Sequence, residues 1–251
     1  MDLTGAGLLV DRSASIANLY AETMDWSKTK EYWHEQRLAD RGSRHSAQKI
    51  FNIIKGRFQA AGDTLPTIPQ LANLYGDCET DRDKAQLTYL YLVHADPLVR
   101  FTVHEVLRNQ GIEISEWKLD NHRLLKYLQS FRFDNGSSLE YAESTLERWV
   151  QGFRSVLFEI GVRNSQYGNE GAPPSLNRIP LLVSAGYSWK EQEEEWQKHP
   201  VGWMYLFQPK HHWDQLFDRL SEEPGWTTRQ VRNQLFLRPD DDPFTVGGDD
   251  G

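Results

Sequence analysis

Cysteine occurs once in the 251 residues, at Cys78. A single thiol excludes a disulfide framework within the chain and a four-cysteine zinc site, and sparse cysteine fits a reducing cytosol. Asp77, Glu79, Asp81 and Asp83 crowd Cys78 in sequence. Neighbouring negative charge raises a thiol pKa, which argues against a catalytic thiolate. Long apolar runs are also missing. A bilayer span needs ~20 apolar residues, and the best run, 179–185, is far shorter and opens Ile-Pro. The first residues, with Asp2 and no basic stretch, do not read as a signal peptide. Gly-x-Ser-x-Gly, Gly-x-x-x-x-Gly-Lys and His-Glu-x-x-His are absent, as is a Gly-x-Gly-x-x-Gly after a strand. The corresponding hydrolase, nucleotide-binding and metalloprotease machinery is therefore not expected. The densest metal candidate, His211-His212-Trp213-Asp214, fails on geometry, because adjacent helical residues point in different directions. A cytoplasmic protein without catalytic residues, cofactor, metal or membrane span is expected.

What the chain has in quantity is aromatic rings and unevenly placed charge. Nine Trp, ten Tyr and eleven Phe are most simply core packing. The net charge is −8, but its distribution matters more than its sum. Between Lys28 and Arg57 there are eight Lys and Arg against three Asp and Glu, a local +5. From Lys190 onward seven Lys and Arg face thirteen Asp and Glu, a local −6.

Helical periodicity dominates the first two thirds. Helices are expected over 13–24, 26–38 (with Ser27 as a possible cap), 43–60, 67–75, 81–92, from Pro97 to about Gly111, and over 115–131 and 139–160. The clearest is 43–60. Ala47, Ile50, Phe51, Ile54 and Phe58 form one apolar stripe, Ser43 or Ser46 can cap the start, and Gly62 follows as a stop. Gly168, Gly171, Pro173 and Pro174 mark 164–187 as a linker and end of core. A short strand is possible near 179–183. Residues 213–220 and 227–235 read as helical within a Trp-rich extension over 188–239, and 240–251 read as a disordered acidic tail. The fold class is all-α, a multi-helix bundle.

The basic segment reads as a nucleic-acid surface. Lys and Arg side chains neutralise phosphates without reading sequence, and Ser hydroxyls and helix N-terminal amides add to such contacts. Ser43 and Ser46, beside Arg41 and Arg44, make a phosphate grip at a helix start. Arg37, Lys49, Lys55 and Arg57 extend it, with Lys49 and Arg57 flanking the apolar stripe. The expected partner is DNA, double-stranded and held largely independently of sequence.

The order Gly7-Leu8-Leu9, Tyr20, Asp25-Trp26, the run from Arg41 to Ile50 and then Arg57-Phe58 resembles the BrxA family of bacteriophage exclusion (BREX) defence systems. So do Val103-His104-Glu105-Val106-Leu107 and the late helix with Arg154 and Leu157-Phe158. The resemblance covers roughly residues 5 to 185. It implies a NusB-like helical fold, a cytoplasmic place beside other BREX proteins, and DNA binding without catalysis. An alternative is a protein adaptor that assembles the defence complex through Trp189, Trp196, Trp203, Trp213 and Trp226 of the acidic extension.

Overall fold

The structure, a computed structural model, describes residues 7–39, 43–231 and 234–244. Helices dominate, as the periodicity predicts. In chain order they are α1 (Val10–Thr23), α2 (Trp26–Glu35), α3 (Arg44–Ala60), α4 (Ile68–Asp77), α5 (Asp81–Ala95) and α6 (Pro97–Gln110). A two-residue strand β1 (Trp117–Lys118), α7 (Asn121–Gln129), α8 (Glu143–Glu159) and a second short strand β2 (Glu170–Gly171) follow. The remainder is α9 (Arg178–Gln192), α10 (Val201–Tyr205), α11 (Trp213–Ser221), β3 (Trp226–Val231) and β4 (Gln234–Pro239). The strands form two antiparallel pairs, β1 with β2 and β3 with β4. The architecture is an all-α bundle with a terminal hairpin.

Local chemistry sets the helix ends. Asp25, rather than Ser27, caps α2, and the amides of Lys28 and Ser27 hold its carboxyl below the usual range. Thr80 and Asp83 form a reciprocal capping box on α5. The Asp96 carboxylate accepts from Leu98 and Val99 at the start of α6, where Pro97 takes the first helical position.

The core is built around α5. Nearly every residue from Ala85 to Val93 is buried, polar and apolar alike, so the helix carries no solvent stripe. It packs against α3, α6, α8 and α9. Several of its polar groups are spent internally, although among the described residues Gln86 Oε1 and Tyr89 Oη are buried without a hydrogen-bond partner. Gln86 donates to Ile160 O and Ser175 O, both at 3.1 Å, and Thr88 Oγ1 pairs with Tyr75 Oη at 2.8 Å.

The C-terminal third departs from expectation in three places. The run 179–183, expected as a strand, lies inside α9. A short apolar run does not distinguish a buried strand from a buried helix; here burial is unbroken from Ile179 to Ser188, and Pro180 sits in the first turn, where its missing N–H costs nothing. The segment 227–235, expected to be helical, enters β3 and β4 instead, in a register running from Trp226↔Pro239 to Val231↔Gln234. β-branched Thr227 and Thr228 suit that pleat better than a helix. The start of the tail is packed: Asp240 N donates to Gly225 O, and Phe244 is buried against Gly186. Residues 245–251, the rest of the expected disordered tail, lie outside the described residues.

Nor do 164–187 hang as a linker. Arg163, 2% exposed, gathers the loop by donating to Arg154 O at 2.7 Å, Gln166 O at 2.8 Å and Gly168 O at 2.5 Å. The boundary drawn at 187/188 falls within α9. Beyond it, the rings expected to face a partner are packed inward. Trp196 meets Trp203, Phe217 and Trp226 at centroid distances of 5.8, 5.4 and 5.6 Å. Its indole N–H donates to Leu237 O, tying the hairpin to the bundle. Trp196 and Trp203 are fully buried, Trp213 and Trp226 nearly so, and Trp189 half-buried. Four of the five tryptophans that motivated the adaptor reading are thus core residues.

Candidate nucleic-acid interface

The basic segment folds as α2, a turn, and α3. The end of α2 leans on the start of α3, with Trp33 Nε1 donating to Ala47 O at 3.2 Å and His34 Nε2 meeting Gln48 Oε1 at 3.1 Å. Gln48 Nε2 then donates to Asn52 Oδ1 at 2.7 Å, so a polar ladder runs along the outer face of α3.

Ser43 is the cap of α3, as expected. Its hydroxyl accepts from Ser46 N at 3.1 Å and donates to Ser46 Oγ at 2.9 Å. That leaves the Ser46 hydroxyl hydrogen free to donate outward. Both serines, Arg44, His45 and Lys49 are exposed. The positive end of the helix dipole points the same way.

Two grooves flank this turn. One, about 550 Å³, lies between α2 and α3 and is lined by His34, Arg37, Ser43 and Arg44. The other, about 710 Å³, follows the opposite side of α3 past His45, Lys49, Asn52 and Gly56 to Ala60 and Ala95. Gln48 lines the second groove and, through His34, touches the first. Arg37, in a left-handed turn at φ 53°, is held on the rim of the first groove.

The other expected contacts divide. Arg41 lies outside the described residues. Lys55 is half-buried, its Nζ 5.2 Å from the centroid of the Trp26 ring, a cation–π contact that partly commits its charge. Arg57 is a correction. It is 3% exposed, and its guanidinium donates to Leu8 O and Gly7 O, both at 3.0 Å. It anchors the N-terminal segment and reaches the second groove with almost no exposed surface. The signal was in the spacing: position 57 follows Ile50 by seven and Ile54 by three, on the buried stripe itself. Lys28 and Lys30, counted in the charge balance but not among the expected contacts, are both exposed on α2.

Only some of the described basic side chains are held in ion pairs. Lys84, Arg108, Lys118, Arg123, Arg178, Lys198 and Lys210 each have a carboxylate within 4 Å. Among the described residues no ion pair involves Lys28, Lys30, Arg37, Arg44 or Lys49. No carboxylate of the described residues lies within 4 Å to neutralise their charge.

Among the described residues, no helix is long and apolar enough to cross a membrane. His211 and His212 sit ring to ring, centroids 4.5 Å apart, with His211 Nε2 3.0 Å from Ser115 Oγ.

Curated proteins give no match to this sequence. The BrxA family model matches residues 1–177, from the N-terminus through α8 and β2 to the residue before α9. The chain therefore belongs to the BrxA family of BREX systems, a membership that suggests a role in phage defence.

Proposed function

We propose that the chain is a non-catalytic DNA-binding accessory protein of a cytoplasmic BREX phage-defence system. It holds duplex DNA through phosphate contacts from α2 and the first half of α3. The observation that carries the reading is the set of five exposed cations, Lys28, Lys30, Arg37, Arg44 and Lys49, that have no ion-pair partner among the described residues. A solvated helix face of mixed charge normally satisfies its own ions. A cluster left unpaired on a protein of net charge −8 is an electrostatic footprint for an anionic partner. The capped start of α3 adds the Ser46 hydroxyl and the helix dipole. Contacts of this kind fix position on the backbone and carry no sequence information, so binding is expected to be largely sequence-independent.

Gel-shift titration of a labelled duplex at two salt concentrations tests this. With three to five phosphate contacts, raising monovalent salt from ~50 to ~200 mM lowers affinity about 40- to 500-fold. An Arg44→Ala/Lys49→Ala variant binds more weakly at the lower salt and has a shallower salt dependence. Absence of binding at low salt, or equal binding by the variant, refutes the proposal.

A further inference from the structure

A second concentration of basic side chains lies away from α3, where α6 meets the C-terminal segment. His104 and Arg108 sit one helical turn apart on α6, Lys198 and His199 come from the turn before α10, and Lys210 comes from the short turn before α11. They rim a cup of about 290 Å³. Its apolar lining is Leu107, Ile112, Met204 and Trp213, and among the described residues no carboxylate lines it. Trp213 is 5% exposed, and its indole N–H is already spent on Gln208 O at 3.1 Å, so it brings the cup an apolar edge and no donor.

The glutamates lie outside the cup. Glu105 is buried and fixed, taking Arg108 Nη2 at 2.7 Å and Asn109 Nδ2 at 3.1 Å. Arg108 keeps a largely exposed side chain beyond that pair. The Lys198–Glu195 and Lys210–Glu113 pairs, at 2.5 and 3.5 Å, are exposed on both sides. Such pairs are weak, and each lysine can exchange its glutamate for a better anion. His104 meets Tyr205 Oη at 3.2 Å through Nε2. Desolvation and the nearby Arg100 lower its pKa, with Glu105 opposing.

We propose that this cup binds a nucleoside phosphate, with the base against the apolar lining and the phosphate among Arg108, Lys198 and Lys210. A bare inorganic anion leaves that lining uncovered, and an uncharged ring leaves the basic rim unused; a nucleotide satisfies both. A free mononucleotide and the terminal unit of a DNA strand present the same groups. Half of the cup comes from 198–213, beyond the residues 1–177 that match the family. The inference does not depend on the α3 surface.

Calorimetric titration of the full chain with AMP, and of the same chain with a short single-stranded oligodeoxyadenylate, distinguishes the two sources. The Lys198→Glu/Lys210→Glu variant reverses the rim with exposed side chains only, and circular dichroism checks its fold. A tenfold or greater loss of AMP affinity in this variant, with Lys49→Glu unchanged, assigns a mononucleotide. Loss confined to the oligonucleotide assigns a strand end. If neither ligand responds to the double variant, or inorganic phosphate binds as tightly as AMP, the proposal is overturned. The Lys49→Glu protein is also titrated with duplex DNA, so failure of the α3 reading registers separately.

Discussion

Arg57 and Lys49 lie two turns apart on one helix and carry the same charge, yet Arg57 is buried and Lys49 is exposed. Arg57→Met removes the guanidinium while keeping most of the side-chain bulk. Two hydrogen bonds from a charged donor are lost, to Leu8 O and Gly7 O at 3.0 Å each. Leu8 itself is 1% exposed, so its carbonyl is left without that donor in a buried setting. An orphaned buried acceptor costs ~1–3 kcal/mol; relief of the buried charge offsets part of this. A net destabilisation of about 1–2 kcal/mol corresponds to roughly 2–8 °C in Tm for a chain of this size. Lys49→Ala, at an exposed position outside any ion pair among the described residues, stays within ~0.5 kcal/mol of the parent. It weakens duplex binding and reduces the salt slope by about 1. Differential scanning calorimetry and gel shifts on the two variants give the four numbers needed. The reasoning is refuted if Arg57→Met melts with the parent, or if folded Arg57→Met loses DNA affinity while Lys49→Ala keeps it.

Three further outcomes are expected. In Gly202→Ala the new Cβ lies 2.1 Å from Ser184 O, between the backbones of α10 and α9; with no flexible side chain to yield, a loss of at least ~1–3 kcal/mol follows, measurable by urea unfolding. Removing 193–251 deletes α10, α11 and the aromatic cluster of Trp196, Trp203 and Trp226 and uncovers α9, which packs on α10 and α11, so the truncated chain aggregates or exposes dye-binding apolar surface instead of remaining a competent DNA binder; a monomeric, cooperatively melting truncation contradicts this. Burial, with Asp83 and Asp77 adding to it and Lys84 opposing, pushes the Cys78 thiol up to about 12. Native alkylation therefore stays slow through pH 9 and becomes fast only in denaturant, whereas a rate that rises through pH 8.5 shows an ordinary thiol.

Much of the fold was legible because its signals are local. Ser43 ahead of a 3.6-period stripe marks the start of α3, and Pro97 and Gly111 bracket α6 through backbone constraints that any context respects. Three readings failed where tertiary packing decides. The run 179–183 carries no periodicity because its surroundings are apolar on every side. Trp226 onward pairs as a hairpin whose register is a relation between two segments. Arg57 counted as charge in the linear sum, although its spacing placed it on the buried stripe; what it does there depends on Gly7 and Leu8, fifty residues away. The exposed half of the basic surface was readable, since Arg44, Ser46 and Lys49 need only a helix with one wet side. That the cations lack partners was not readable, because pairing is a matter of where distant carboxylates end up.

The burial of α5 on all sides has a consequence for biosynthesis. A helix with no wet face is finished only when its last neighbour arrives, and α9 and α10 are encoded roughly a hundred residues downstream. At ~5–20 residues per second, the ribosome exposes α5 about 5–20 seconds before its cover exists. During that interval the nascent chain carries Leu87, Leu90, Tyr91 and Val93 without their final partners. The order of translation thus makes the C-terminal third, which lies outside the family match, the segment that closes the fold.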